Sequence, residues 1–406
     1  MRDFNTILLT LFLGFYFTAW GAPEATKTQE NMVTGAISDL KATPDNVKKI
    51  KAGFIYVGPV GDYGWSNAHE MGRQYVMKKF PWLQSMIVES VPEADSSRVI
   101  DRLVREEKCD VVFTTSFGYQ DATADAAKRY PDKIFMHCSG YKRDKNLGTY
   151  FAELYQPYYL CGLMAGALTK TGKAGYIGAQ PIPEVIRHIN AFALGVRDAN
   201  PKAKVQVKWL FSWYDPAKAK EAAEALVAEG CDALSFTEDS PAVIQVGEEH
   251  TKAGKPVYTF SHYSPMQKFG PDSVVSGQLV DWGVMYETIL NKIHDNKWDN
   301  SDYWWLLREK AAILGGDYQN RINPKFVDLL KGITREVATL GTVSVYDLVE
   351  KRLSQMSADT IEFEPFTGPI KDQSGAVKIP EGQKEDHDML WSMNWFVENV
   401  EGAIPK

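Results

Sequence analysis

The most constraining feature of this chain is a regular alternation of short apolar segments with longer amphipathic ones, which occurs twice. In the first half, the alternation predicts strands at 52–57, 85–89, 110–114 and 133–137, with helices at 67–79, 96–107 and 121–129. In the second half, it predicts strands at 172–177, 203–210, 233–236 and 256–260, with helices at 184–198, 216–229 and 241–252. Strands that alternate with helices of this length form right-handed βαβ units, so we expect an α/β fold built on parallel sheets.

The two halves also share a short sequence correspondence, which favours two related lobes. A Cys-Asp pair at 109–110 and a Ser-Gly-Tyr triplet at 139–141 match a Cys-Asp pair at 231–232 and a Ser-His-Tyr triplet at 261–263. The correspondence is short, and a chance origin stays open. The length of 406 residues independently favours two lobes, because a single hydrophobic core rarely extends that far.

We expect the following boundaries. Lobe 1 comprises 48–153 plus about 278–300, and lobe 2 comprises 154–277 plus about 301–340. Residues 341–406 form a C-terminal helix and a hairpin with a final apolar strand, packed on one lobe without touching a ligand.

The N-terminus resembles an export signal. Residues 7–19 are an uninterrupted apolar run of 13 residues, shorter than the roughly 20 that a membrane-spanning helix needs. Small residues at Ala19 and Gly21 suit a cleavage site, so 1–21 is predicted to be a signal peptide and 22–47 a flexible leader. A short membrane anchor is the alternative. No cysteine lies nearby for lipid attachment, and we expect a periplasmic location.

Composition and motifs exclude several classes of function. The net charge of −7 and the lack of long runs of like charge argue against nucleic-acid binding. GxSxG, GxxxxGK[ST], HExxH and GxGxxG patterns are absent from the sequence, so we expect neither an enzyme nor a cofactor. The four cysteines lie in apolar stretches without a CxxC or a matching histidine set, which predicts buried free thiols and no metal site.

Two loops carry the aromatic residues that point to a ligand. Open parallel sheets bind ligands at the carboxyl ends of their strands, and two facing lobes place those ends at one cleft. The loops that lead there are 58–66, 115–121, 139–142, 178–184, 211–215, 237–241, 261–264 and 277–282. Trp65 and Trp213 lie in two of them and are predicted to sandwich a flat ring, each face contributing about 1–3 kcal/mol. A hydrophobic staple onto its own helix is the alternative for Trp65.

A planar heterocycle also needs hydrogen-bond partners at its edge. Carboxylates accept from an amine or a ring N–H, and hydroxyls can donate or accept. The candidates for these partners in the cleft loops are Asp62, Ser116, Tyr119, Asp121, Asp239 and Asp281. Phe117, His262 and Trp282 are further candidates for contact with the ligand. Asp62, Asp121 and Asp239 could instead cap helices, and His262 could be a buried structural residue.

The chain resembles the Bmp family (basic membrane protein, PnrA-like) of ABC-transporter substrate-binding proteins. The resemblance lies in GFIYVGPVGDYGWSNAHE, FTTSFGYQDAT, AGALTKTGKAGYIGAQPIPEV, WYDPAKAKEAA and FTGPIKDQSG. It implies a type I periplasmic-binding fold, with two doubly wound lobes joined by a three-crossover hinge. It also implies a monomer that delivers purine nucleosides or related compounds to an ABC permease and its ATPase. By this resemblance Trp65 and Trp213 look like the purine clamp, and Asp121 looks like an edge partner.

The sequence departs from the nucleoside-binding pattern at two positions. Ser261 replaces an Asp and Leu279 replaces a Lys, the two groups that resemble a ribose grip, and Trp282 could fill that space. Without them the sugar hydroxyls would lose charge-assisted partners worth roughly 1.5–3 kcal/mol each. The resemblance therefore implies a free nucleobase, adenine by preference. A nucleoside receptor, a sensor for a membrane signalling partner and a nucleoside hydrolase stay open as alternatives.

Overall fold

The structure is a computed structural model that describes residues 48–405. The predicted signal peptide (1–21) and leader (22–47) lie outside the described residues. Within 48–405, no helix combines the length and the apolar character needed to cross a bilayer.

A six-stranded sheet forms the first lobe, and every neighbouring pair in it is parallel. Its strands are β1 (Ile50–Ile55), β2 (Leu83–Val88), β3 (Val111–Thr114), β4 (Ile134–Cys138), β5 (Leu147–Ala152) and β11 (Asp302–Trp305). Their order across the sheet is β11-β5-β4-β3-β1-β2. The helices of this lobe are α1 (Trp65–Lys79), α2 (Ser96–Arg105), α3 (Gln120–Arg129) and α8 (Trp282–His294).

A seven-stranded sheet forms the second lobe. Its strands are β6 (Lys173–Gly178), β7 (Lys204–Trp209), β8 (Ala233–Thr237), β9 (Tyr258–Tyr263), β10 (Val274–Val280), β12 (Ala312–Leu314) and β17 (Val400–Glu401). The order is β12-β10-β9-β8-β6-β7-β17, and the β10–β12 pair is antiparallel. The helices are α4 (Tyr155–Leu168), α5 (Pro183–Ala199), α6 (Pro216–Ala228), α7 (Ala242–Lys252), α9 (Pro324–Gly332), α10 (Val345–Met356) and α11 (His387–Trp391). Two small hairpins are β13 (Thr334–Val337) with β14 (Gly341–Ser344), and β15 (Ile370–Lys371) with β16 (Val377–Ile379).

The described chain passes between the sheets three times: after β5, between β10 and α8, and after β11. The predicted α/β architecture of two parallel-sheet lobes is confirmed. Two predicted boundaries differ from the sheet membership. The boundary near 278 cuts β10, which is a continuous buried strand of the second sheet, and the boundary near 301 assigns β11 to lobe 2, whereas β11 pairs in parallel with β5 of the first sheet.

The C-terminal segment packs on α5 of the second lobe. The Asn190 side chain donates to the carbonyl of Trp395 (2.7 Å) and accepts from the N–H of Val397 (3.0 Å). The Asn399 amide donates to the carbonyl of Ala193 (2.8 Å). The predicted final apolar strand is instead a short helix followed by the two-residue β17. Its buried residues Leu390, Met393 and Val397 recur every three to four positions, which does not fit the two-residue period of a strand.

The four cysteines, Cys109, Cys138, Cys161 and Cys231, are free and buried.

Candidate ligand-binding site

One pocket of about 290 Å³ lies where the carboxyl ends of both sheets meet. Its lining residues follow strands of both lobes, and they are Val57, Trp65, Ser116, Phe117 and Ser139 from the first lobe and Glu184, Trp213, Asp239 and Tyr263 from the second.

Trp65 and Trp213 reach the pocket from opposite lobes. Trp65 is the first residue of α1, and its indole N–H donates to the carbonyl of Thr115 (2.5 Å). Its ring meets that of Tyr263 edge to face, with the centroids 4.9 Å apart. Trp213 follows β7, and its carbonyl accepts the backbone N–H of Asp239 (2.8 Å). The Trp65 indole and the Trp213 backbone are therefore each held by neighbours, and both residues line the same pocket.

Two carboxylates line the pocket on the second lobe. Glu184 accepts from the hydroxyl of Ser139 (2.6 Å) and from the hydroxyl of Tyr263 (3.2 Å), and burial raises its pKa. Asp239 accepts from the backbone N–H of Trp65 (3.2 Å). Burial holds the pKa of Asp239 well above its usual range, and the nearby Asp62 and Glu238 raise it further. No Lys or Arg lines this pocket in the described part of the chain, so the site suits a ligand that brings hydrogen-bond donors.

The two lobes touch beside this pocket. The hydroxyl of Ser264 donates to the carbonyl of Gly64 (2.8 Å), and the Asp239–Trp65 and Ser139–Glu184 hydrogen bonds also join one lobe to the other. The structure is therefore a closed form of the two-lobed protein.

The structure brings together five of the predicted site residues in the pocket lining: Trp65, Trp213, Ser116, Phe117 and Asp239. Three of the predicted aspartates lie elsewhere. Asp62 is buried at the start of α1, where it accepts the N–H groups of that helix, and Asp281 caps α8 by accepting from Gly283 (2.8 Å). Asp121 is 84% exposed and pairs with Lys142 (2.5 Å), so the edge role that the family resemblance implied for it does not fit this position.

Three other predicted residues are internal. The hydroxyl of Tyr119 donates to the carbonyl of Val91 (2.7 Å), and His262 is hydrogen-bonded to the hydroxyl of Tyr158 (2.9 Å). The ring of Trp282 stacks on His69 with the centroids 4.2 Å apart. Each therefore has a packing partner that takes it out of the pocket lining.

Four lining residues were not among the predicted site residues: Val57, Ser139, Glu184 and Tyr263. Ser139, Glu184 and Tyr263 fall within the predicted cleft ranges, and the structure places Glu184 in the first turn of α5 and Tyr263 at the end of β9. Ser139 and Tyr263 also have positive φ angles (62° and 58°), which non-glycine residues adopt mainly in tight turns and at functional sites. The sequence predicts Val57 as the last residue of the first strand. In the structure this strand ends at Ile55, so Val57 lies beyond it and lines the pocket.

Comparison with known proteins agrees with this geometry. Residues 49–325 match the Bmp family, described as ABC transporter substrate-binding protein PnrA-like. A purine-binding protein of Brucella abortus is 34% identical over 88% of this chain and 95% of its own length. A putative ABC transporter glucose-binding protein of Haloferax volcanii is 37% identical over 95% of this chain and 90% of its own length.

Among solved structures, an ABC transporter solute-binding protein from Aeropyrum pernix superposes with a TM-score of 0.65 at 16% identity, covering 84% of this chain and 95% of its own. At that identity the likeness concerns the fold alone. The family match covers both sheets except the two-residue β17, and it includes every residue that lines the pocket, so it concerns the protein itself. This chain belongs to the Bmp family of ABC transporter substrate-binding proteins.

Proposed function

We propose that this protein binds a purine base, adenine by preference, in the cleft between its lobes, and that it delivers the base to an ABC permease and its ATPase from outside the cytoplasm. The observation that carries the proposal is the pocket lining, in which Trp65 and Trp213 supply ring faces from opposite lobes and Asp239 supplies an acceptor beside them. Adenine offers two flat faces together with amine and ring N–H donors, so it fits this combination.

The positions where the resemblance implies a ribose grip support a base over a nucleoside. The hydroxyl of Ser261 donates to the carbonyl of Gly316 (2.9 Å), and Leu279 is fully buried in β10. Neither residue lines the pocket, and neither brings a charge to it. A ribose would therefore find no charge-assisted partner at these positions.

The two curated relatives support different ligand classes. The Brucella relative is named as purine-binding, whereas the Haloferax relative is named as putatively glucose-binding. A hexose needs hydrogen-bond partners around its whole rim. In this pocket Ser116, Ser139 and Tyr263 already donate to carboxylates, and the remaining lining includes the two indole faces. This lining favours the flat heterocycle over the sugar.

Isothermal titration calorimetry with adenine, hypoxanthine, adenosine and glucose tests the proposal. We expect adenine to bind with a micromolar or smaller Kd, and hypoxanthine to bind at least tenfold more weakly, because its exocyclic carbonyl oxygen accepts where the adenine amine donates. Tight binding of adenosine would show that the ligand is a nucleoside rather than a free base. Binding of glucose, with no binding of any purine, would show that the ligand is a sugar.

A further inference from the structure

Helix α1 is capped from both lobes. The first N–H groups of a helix have no partner within the helix, and carboxylates commonly satisfy them. Asp62, in the preceding loop, accepts from Gly64 (2.8 Å), Ser66 (3.0 Å) and Asn67 (3.0 Å). The N–H group left between them belongs to Trp65, and it donates to Asp239, which lies 174 residues away in the opposite lobe.

Asp239 also holds the second tryptophan of the pocket. Its backbone N–H donates to the carbonyl of Trp213 (2.8 Å), so one residue contacts Trp65 through its carboxylate and Trp213 through its backbone. The position of this carboxylate is consequently tied to the spacing between the two indoles.

The backbones of the two lobes also approach each other closely at the same point. A Cβ atom on Gly64 would lie 2.6 Å from the Cα of Asp239, a distance that side-chain carbons do not adopt. The nearby Ser264 hydroxyl donates to the Gly64 carbonyl (2.8 Å). The backbones of the two lobes therefore touch here, and the Trp65–Asp239 hydrogen bond can exist only when the lobes are this close.

The environment of Asp239 opposes its charge. Its side chain is almost fully buried, and the titratable groups that face it are Asp62 from the first lobe and Glu184, Glu238 and Tyr263 from the second. None of these groups is a cation, and the Trp65 N–H is the hydrogen bond to this carboxylate among residues 48–405. Closing the lobes thus buries a carboxylate among carboxylates, which is costly unless a donor compensates.

We propose that Asp239 is an interlobe latch in which the N–H edge of the bound ligand compensates the buried carboxylate and allows it to cap α1 of the opposite lobe. The identity of the ligand rests on the proposed function, whereas the latch itself rests on the contacts between the lobes. A ligand without an N–H donor at this position would occupy the pocket and leave closure unfavourable.

The latch has a defined dependence on pH. The pKa of Asp239 is raised in the closed form by burial and by its acidic neighbours, while an open form exposes the carboxylate to water and returns the pKa toward its ordinary value. The closed form therefore binds the proton more tightly. Without ligand, closure is promoted as the pH falls and disfavoured as the pH rises.

Distance measurement between the lobes tests the latch without any ligand. Nitroxide labels at Asp125→Cys on α3 and Glu221→Cys on α6 occupy exposed positions, one on each lobe, while the four native thiols are buried. Double electron–electron resonance then reports the closed fraction. Asp239→Asn keeps the shape and a carbonyl acceptor for Trp65 but removes the charge. We expect it to raise the ligand-free closed fraction at pH 8 at least fivefold and to flatten its pH dependence.

Gly64→Ala tests the contact from the other side, and Gly61→Ala in the same loop is the matched control, because a Cβ there meets nothing within 4 Å. We expect Gly64→Ala to abolish the closed distance and to weaken ligand binding at least tenfold, while Gly61→Ala behaves as the unmodified protein. The latch is overturned if Asp239→Asn has the same distance distribution as the unmodified protein at every pH. It is also overturned if the Gly64→Ala variant still closes. The distance measurements need no purine. If they support the latch while no purine binds, only the proposed ligand is refuted.

Discussion

Replacing Trp213 by alanine removes one of the two indole faces that line the pocket. The side chain is half-buried and packs at the edge of the core, so its truncation leaves most of the second lobe untouched. The backbone carbonyl that accepts from Asp239 remains, because the substitution changes only the side chain. The variant therefore isolates the stacking contribution of one ring.

The expected loss follows from the energy of stacking. A base stacked on an aromatic side chain gains about 1–3 kcal/mol. Since 1.4 kcal/mol corresponds to a tenfold change in Kd, Trp213→Ala should weaken adenine binding by about 5- to 150-fold. Trp213→Phe keeps a smaller ring face, so its loss should fall between those of the unmodified protein and the alanine variant.

Calorimetric titration with adenine measures this loss, and Phe211→Ala provides the control. Phe211 is an aromatic residue of the same loop, but its side chain is 59% exposed and it does not line the pocket. We expect Phe211→Ala to keep the affinity within twofold. A Trp213→Ala affinity within twofold of the unmodified protein, in a variant with unchanged thermal stability, would refute the clamp.

Three further predictions concern stability. Glu153→Gln, which leaves the fully buried Arg187 without its carboxylate partner, should lower the free energy of unfolding by about 3–5 kcal/mol in urea titrations. Burial raises the pKa of Glu364 to about 7 from an ordinary 4.5, so the folded state retains a proton that the unfolded state loses as the pH rises between these values. Stability should fall over that window, and Glu364→Gln should remove about 3 kcal/mol of the fall between pH 4 and pH 8. Gly195→Ala places a Cβ 2.1 Å from a carbonyl of α4 and should cost about 1–3 kcal/mol, whereas Gly332→Ala, which meets nothing within 4 Å, should not.

Periodicity predicts the fold well wherever an element has one buried face. The predicted helix at 216–229 is observed at Pro216–Ala228, and the predicted helix at 121–129 is observed at Gln120–Arg129. Helix α4, by contrast, has all 14 residues buried and therefore shows no amphipathic period for the sequence to reveal. β11 is not predicted for another reason. Its four residues join the first sheet only by pairing with β5, which is distant in sequence, so no local pattern identifies it.

The aspartates show where sequence reasoning about the site reaches its limit. Asp62, Asp239 and Asp281 all stand in loops before helices. The sequence leaves a cap and a ligand contact open for Asp62 and Asp239, and it predicts a ligand contact for Asp281. In the structure Asp62 and Asp281 accept from their own helices, so their hydrogen bonds are local and predictable in kind. Asp239 caps a helix of the other lobe, and its partner can be identified only once the two sheets are in place.

That difference explains why a single carboxylate can link recognition to movement. A cap within one lobe keeps its hydrogen bonds whether the cleft is open or closed, so its energy does not depend on closure. The carboxylate of Asp239 gains the Trp65 N–H only on closure, and closure also removes it from water among acidic neighbours. The loss exceeds the gain, because a hydrogen bond to a charged group contributes about 1.5–3 kcal/mol and an uncompensated buried charge costs more. A donor on the ligand shifts this balance, and by linkage a ligand can favour closure only to the extent that it binds the closed form better.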